Sequence, residues 1–434
     1  MMKPNILYIH SHDTGRYIQP YGHAVATPNL QQLAEEGVLF RKNFCVQPTC
    51  SPSRAALLTG CYPHENGMTG LAHRGFALHD YGQHMVHTLR QAGYKSALAG
   101  VQHIAEPTAD QAPWQVIGYD RWCGDDGQKG AIDFLSERHD QPFFLAVGFH
   151  ETHRAFPSLA ESPDDPRYCL PPAALPDTPE TRADMTRYKA SARILDQKIG
   201  AVLAALERSG QANNTLVICT TDHGIPFPQM KCNLTDHGIG VMLMMRGPGG
   251  FSGGKIVDEM TSHLDIFPTI CEAVGLEKPA WLRGKSLVPL VKNEPSELHD
   301  MLFFEVSFHV AYEPMRAART KRWKYIRRFG DRVTPVLANC DGSESKRMLL
   351  EHGWQGKPIE QEMLYDLRFD PNEGRNLAQD PLHVEVLHEL RSGLERWMRE
   401  TNDPLLAGAM PVPAGAKLDA PDCIKPSEEM GNAG

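Results

Sequence analysis

Short apolar runs alternate with amphipathic stretches along most of the chain. Asn5–His10 (NILYIH) reads as a short buried strand. Thr27-Pro28 opens a helix that puts Leu30 and Leu33 on one face, and Gly37 closes it. A helix through Leu89–Ala92 stops at Gly93 and gives way to the strand YKSALAG, residues 94–100. Pro142–His150 (PFFLAVGFH) is a further strand. Across 181–209, Tyr188, Ala192, Leu195, Ile199, Val202 and Leu206 recur at alternating spacings of four and three, the stripe of an amphipathic helix. Gly210 ends that helix, and Thr215–Thr221 (TLVICTT) is again a strand. Strands alternating with helices predict a mostly parallel α/β sheet, with chemistry just beyond the carboxyl ends of the strands.

Those ends carry chemistry-bearing side chains. The first strand leads into His10-Ser11-His12-Asp13, the strand near residue 98 leads to His103, the next to His150-Glu151-Thr152-His153-Arg154, and TLVICTT to Asp222-His223-Gly224. Separately, PTCSPSRAALLTG (48–60) reads as a helix start, with Ser51 as N-cap, Pro52 at the first helical position, good helix formers over 55–58 and Gly60 as the stop. Cys50 then lies at the helix N-terminus, where the macrodipole and Arg54 are expected to depress a thiol pKa. A lone cysteine or histidine in such a place is ordinarily structural. Four polar strand ends in the positions an α/β fold reserves for its site favour a metal centre with a nucleophile.

Composition narrows the class. A chain of 434 residues has room for one large catalytic domain and a smaller appendage. A formal net charge of −9 makes no case for nucleic acid or an anionic membrane as partner. No apolar run approaches the roughly 20 residues that span a bilayer. MMKPNILYIH runs straight into a strand without a signal-peptide pattern, and the ten cysteines include no CxxC pair, so reduced thiols and a cytoplasmic location are expected. The Pro/Gly-rich C-terminus is expected to be a loosely ordered tail.

Cys50-Ser51-Pro52-Ser53-Arg54 through Thr59-Gly60, with TPNLQQLAEEGVLFRKNF before it and PFFLAVGFHETHR, TTDHGIPFP and YDLRFDPNEGRNLAQDP after it, resembles the sulfatases of the alkaline phosphatase superfamily. Within that family DHGIPFP and PFFLAVGFHETHR are most similar to the N-sulfoglucosamine sulfohydrolases, or heparan sulfamidases. The resemblance covers roughly 4–275 well and 300–402 more loosely. It implies a large mostly parallel mixed sheet sandwiched by helices over 1–300, a smaller α+β subdomain with an antiparallel sheet over 301–405, and the tail at 406–434.

It also implies a mechanism. Residue 50 is oxidised by a formylglycine-generating enzyme; one hydroxyl of the hydrated aldehyde attacks sulfur, and the other expels sulfate from the covalent intermediate. The metal ligands fall on His12, Asp13, Asp222 and His223, with residue 50 facing the ion. Arg54 would hold the hydrate, His103 and His153 would handle protons at nucleophile and leaving group, and Lys231 would clamp the sulfate. The substrate is a small sulfated molecule, plausibly a sugar, and a homo-oligomer stays open.

Departures from the family pattern favour other chemistry. His12-Asp13 stands where Asp-Asp is usual, and Asp222-His223 where Asp-Asn is frequent. Calcium is the family's usual ion, but two imidazoles suit manganese, zinc or iron better. Gly100-Val101-Gln102-His103 replaces Gly-Lys-x-His, so one sulfate-binding lysine is missing. A metal-dependent phosphodiesterase or phosphonate monoester hydrolase is therefore the alternative, and a catalytically dead binding protein a third reading. His309 is a candidate for the substrate pocket and Arg316 for an acidic sugar group, against a surface histidine and a solvated basic strand. Asp265 reads as a capping residue, and Tyr365-Asp366 with Asn376 as pins for the C-terminal segment. The remaining cysteines read as small buried apolar residues.

Overall fold

The computed structural model describes residues 3–292, 294 and 297–427. A nine-stranded mixed sheet forms its centre. The strands are β1 (Asn5–Ser11), β2 (Val38–Phe44), β3 (Lys95–Gly100), β4 (Arg121–Trp122), β5 (Phe143–Gly148), β6 (Thr215–Thr221), β7 (Gly240–Val241), β8 (Leu243–Arg246) and β9 (Lys255–Ser262). Their order is β4-β3-β5-β1-β6-β8-β2-β7, with β9 also paired to β2. β4, β3, β5, β1 and β6 run parallel, whereas β8 is antiparallel to both β6 and β2.

The central strands are apolar throughout because both faces are covered. Ile6 and Tyr8 of β1, Phe144 of β5 and Ile218 of β6 pack into one core. Leu7, Ile9, Leu145 and Val217 point the other way, onto the helix α1 (Pro28–Glu36) and the long helix Pro179–Arg208. The predicted stripe of that long helix is buried at Tyr188, Ala192, Leu195, Ile199, Val202 and Leu206. β2 and β9 are absent from the apolar reading because Arg41 and Asp258 break their runs at exposed positions.

A second sheet of β10 (Leu302–Phe308), β11 (Tyr312–Arg319), β12 (Trp323–Arg328) and β13 (Glu362–Asp366) is antiparallel. One face, with Phe304, Val306, Met315 and Ile326, packs on Phe44, Val241 and Met260 of the large sheet. The other, with Ala318, Tyr325 and Leu364, shares a core with Leu390, Leu394 and Trp397 of the C-terminal helix Val384–Glu400. Asp265 caps, accepting from the Ser262 N–H at 2.7 Å, and Asn376 ties the chain to β13 through the Leu364 N–H at 2.9 Å. Residues 407–426 run as irregular chain, with Lys417 N–H on the Arg74 carbonyl and Asp419 N–H on the Val310 carbonyl, both at 2.8 Å. Of the expected tail, 428–434 lie outside the described residues.

The helix α2 spans Cys50–Thr59 and is buried along its whole length. Its N-cap is Thr49 rather than Ser51, and Cys50, not Pro52, is the first helical residue. Ser51 is diverted because its hydroxyl accepts the Ala72 N–H at 3.1 Å. Gly60 closes the helix as expected, in the left-handed region at φ 71°.

Candidate active site

Three turns meet at the carboxyl edge of the large sheet. After β1, Asp13 takes a left-handed backbone at φ 58°, a conformation that side-chain-bearing residues rarely adopt. It is held there from both sides. Its N–H donates to Asp222 Oδ1 at 2.8 Å, and the Thr152 hydroxyl donates to its carbonyl at 3.0 Å. The Thr14 N–H donates to Thr221 Oγ1 at 3.1 Å. The turns after β1, β5 and β6 thus fix one another, and backbone strain collects where the polar side chains converge.

Helix α2 delivers Cys50 to this point. Its Sγ lies 2.9 Å from His12 Nε2 and 3.4 Å from His223 Nε2. His223 Nε2 is 3.1 Å from Asp13 Oδ1, and His12 Nε2 is 3.3 Å from Asp222 Oδ2. One atom from each of His12, Asp13, Cys50, Asp222 and His223 lies within 4.8 Å of all the others, and all five residues are buried.

Burial and charge pull these groups in different directions. Burial pushes the Cys50 thiol well above its usual pKa, and Asp13 and Asp222 add to this; the opposing pull of Lys231 and Arg54 does not overcome it. The expectation of a depressed thiol is not met, because Cys50 is buried at the base of a cleft and burial outweighs the two cations. Burial also holds His12 well below the usual imidazole value, helped by His153, Arg54, His103 and Lys231. Burial alone would raise the Asp222 carboxyl, but His223 and Arg54 outweigh it and hold the group below its ordinary range.

A second ring surrounds this cluster. Arg54 Nη2 donates to Asp222 Oδ2 at 2.9 Å and to the Ser11 carbonyl at 3.0 Å, and its Nη1 meets His10 Nδ1. Its visible work is to hold Asp222. Lys231 Nζ lies 2.9 Å from Asp13 Oδ2 and 3.5 Å from His153 Nε2. The His153 ring sits 4.4 Å from the His12 ring, and the His103 ring 5.5 Å from it. Burial, with Arg54 and His73 as lesser contributors, lowers the His103 pKa well below the usual value.

Similarity to known proteins fits this geometry. The sequence pattern of the Sulfatase family matches residues 4–129 and 125–276, well over half of the chain. The chain belongs to the sulfatase family. The pattern described as N-sulphoglucosamine sulphohydrolase, C-terminal, matches 230–338. Human N-sulphoglucosamine sulphohydrolase is 32% identical over 438 residues, covering 88% of this chain and 87% of its own. A solved 2-O GAG sulfatase superposes with a TM-score of 0.73 at 21% identity, over 98% of this chain and 99% of that one. The phosphonate monoester hydrolase of Agrobacterium radiobacter superposes at 0.66 and 22% identity, over 93% and 97%. These two structures share the fold. As a sulfatase, the chain is a sulfuric ester hydrolase.

A sulfatase implies a metal ion, and the residues present fit one. Asp13 Oδ1 is buried without a hydrogen-bond donor. The carboxylates of Asp13, Asp222 and Asp341 outnumber the cations of Arg54 and Lys231 at the centre. A buried site with that imbalance favours a dication, and then an anionic substrate to restore neutrality.

The sulfatase centre opens into a cleft of about 910 Å³ lined by His12, Cys50, His103, His153, Lys231 and His309, among others. His309 is thus a pocket residue, with a buried Nδ1 that has no hydrogen-bond partner among the described residues. Arg316 is not. It is fully buried in the small sheet, with Nη2 on Asp403 Oδ1 at 3.0 Å and Nη1 on the Val306 carbonyl at 2.9 Å. Its register partner across the ladder is Glu305, so the proposed contact with a sugar acid is withdrawn. Val101 stands in place of the missing lysine, and the next residue, Gln102, accepts the Ala105 N–H at 2.9 Å and shapes the loop that carries His103. Among the free cysteines, Cys123, Cys340 and Cys423 are only partly buried, unlike the expectation for them.

The sequence reading named His10 and Thr152 only within strand-end runs and gave them no role, and it missed His73 and Asp341. His73 stacks on His103 with ring centroids 5.5 Å apart. Asp341 Oδ2 lies 3.0 Å from Lys231 Nζ. None carries a local signal. His10 ends a strand two residues before a stronger candidate, and Asp341 lies in an ordinary Asp-Gly-Ser turn.

Proposed function

We propose that the chain hydrolyses a sulfate ester or sulfamate carried by a sugar, with residue 50, as formylglycine, being the nucleophile that takes the sulfo group. The observation that carries this reading is the position of Cys50: at the floor of an open cleft, between two imidazoles and two carboxylates, with Lys231 alongside. The likeness to human N-sulphoglucosamine sulphohydrolase supports an N- or O-sulfated glucosamine as the substrate class.

His12, Asp13, Asp222 and His223 would hold the divalent ion, which supplies polarisation of the sulfo group and a lower pKa for the attacking hydroxyl. The chain's own groups do the rest. Lys231 draws a sulfo oxygen toward the floor. His103, whose pKa burial lowers, accepts a proton from the residue 50 hydroxyls. His153, reaching the cleft beside Lys231, donates a proton to the departing oxygen or nitrogen. Arg54 keeps Asp222 ionised and in place.

The test is chemical. Protein made together with a formylglycine-generating enzyme should carry the aldehyde at residue 50 by peptide mass and hydrolyse N-sulfoglucosamine or a glucosamine O-sulfate. Cys50→Ala should lose essentially all of that activity, and Cys50→Ser should give at most a single turnover, because serine lacks the second hydroxyl that expels sulfate. Full multiple turnover by Cys50→Ser, or by unmodified thiol protein, would refute the mechanism. Faster hydrolysis of an aryl phosphodiester than of any sulfate would promote the phosphonate monoester hydrolase alternative, which the histidine ligands and the missing lysine at Val101 favour.

A further inference from the structure

Asp341 stands out among the cleft residues because a sulfate clamp has no evident use for it. It comes from the long connection between β12 and β13, just before the helix Glu344–Glu351, and its carboxylate lies 3.0 Å from Lys231 Nζ. Lys231 already has a carboxylate partner in Asp13 at 2.9 Å. A second one weakens the pull of the ammonium on a sulfo oxygen, and it repels any anion that comes near. Yet it lies in the wall of the substrate cleft, with His309, His153 and Lys231 as its neighbours there. His309, 5% exposed and lining the same wall, has an Nδ1 without a hydrogen-bond partner among the described residues. Both residues come from segments that follow strands of the smaller sheet, His309 after β10 and Asp341 after β12.

A carboxylate in that wall accepts hydrogen bonds, and the His309 Nδ1 accepts one as well in the tautomer that carries the ring proton on Nε2. Building on the sulfatase reading, we infer that Asp341, with His309, is a specificity-determining residue that binds a hydroxyl or amino group of the sugar next to the sulfated position and rejects a second sulfo group there. The substrate class is then a sugar carrying one sulfo group flanked by free donors, not a polysulfated one. Lys231 has a double role, holding the sulfo group on one side and the Asp341 carboxylate in register on the other. With a donor in place the carboxylate is fully partnered, so the cost of keeping it beside the sulfo group is offset only by the right sugar.

The experiment compares three substrates on formylglycine-bearing enzyme: N-sulfoglucosamine, glucosamine 2-N,6-O-disulfate and 4-nitrophenyl sulfate, which has no neighbouring donor. Wild type should prefer the monosulfated sugar to the disulfated one. Asp341→Asn and Asp341→Ala should lower kcat/KM for the monosulfated sugar about ten- to hundredfold, the worth of a hydrogen bond to a charged group, chiefly through KM. The loss on the aryl sulfate should be at least about tenfold smaller, and the preference against the disulfate should shrink. Asn nearly matches Asp in shape, so it carries the test if the alanine variant unfolds. Equal losses on sugar and aryl substrates would show that Asp341 acts only through Lys231 and would overturn the inference. So would an unchanged mono- to disulfate ratio. A wild type that turns over none of the three instead overturns the sulfatase reading, and the inference falls with it.

Discussion

Asp13 and Asp222 are the two residues on which the centre depends most directly. Both side chains are fully enclosed, and each touches an imidazole as well as a cation. Replacing either with alanine removes an anionic donor from the candidate ion site; it leaves Arg54 without its Asp222 carboxylate in one case and Lys231 with Asp341 alone in the other. Asp13→Ala or Asp222→Ala should weaken metal retention by more than about 100-fold, beyond the loss typical of outer-sphere changes. Metal content after dialysis checks this, and a variant with full occupancy would remove that residue from the ligand set. The choice of ion also belongs to this scale. His12 and His223 offer nitrogen through Nε2, so manganese or zinc should restore stripped enzyme at least as well as calcium. Recovery with calcium alone would assign the histidines another role. Most of these residues were legible in the sequence because the turns after strands expose them. Asp341 was not, because its significance is a distance of 3.0 Å to a side chain 110 positions away.

Among the elements, β3 shows how tightly the sheet constrains the site. Gly100 ends it at φ 75°, and a Cβ there would lie 2.2 Å from the Gly148 carbonyl of β5. The next three residues lead to His103, itself at φ 66°. Gly100→Ala must therefore push adjacent core strands apart and shift a catalytic loop. It should destabilise by about 2–3 kcal/mol and lower activity. Gly93 is the control: φ is 86°, but nothing lies within 4 Å of its added Cβ. Gly93→Ala should cost only the conformational strain, about 1 kcal/mol, without loss of activity. Urea denaturation and sulfate release distinguish the two, and equal destabilisation would rule out the close approach as the cause. The strands and helices with unbroken apolar runs or stripes were readable. The start of α2 was misplaced by two residues, since the Ala72 N–H that occupies Ser51 comes from a segment 21 residues away.

At the scale of the molecule, the catalytic and small domains are joined by a buried charge network far from any local pattern. His64 Nδ1 contacts Glu305, the His64 N–H donates to Glu305 Oε1 at 2.9 Å, and Arg316 links Glu305 to Asp403. Burial alone would lower the His64 pKa, but the Glu305 carboxylate outweighs it and raises the group above the usual value of 6.5. A raised folded pKa gives stability that is fully present below the unfolded value and lost as pH rises through the folded one. The Tm advantage of wild type over His64→Gln should therefore be larger at pH 6 than at pH 9. An advantage that grows with pH would show that His64 is neutral in the folded protein.

The sequence by itself determined the α/β class, the succession of the central strands and helices along the chain, and most of the polar residues that the structure gathers around Cys50. Apolar runs and helical spacing are local properties, and chemistry-bearing residues placed just after strands need only the fold class to be brought together. Tertiary structure alone decided that Arg316 belongs to the core rather than the cleft, that Cys50 is an enclosed thiol, and that Asp341 faces Lys231. Each of these depends on which side chains from distant segments share one small, water-poor space, and charge and burial there act over ångströms, not along the chain.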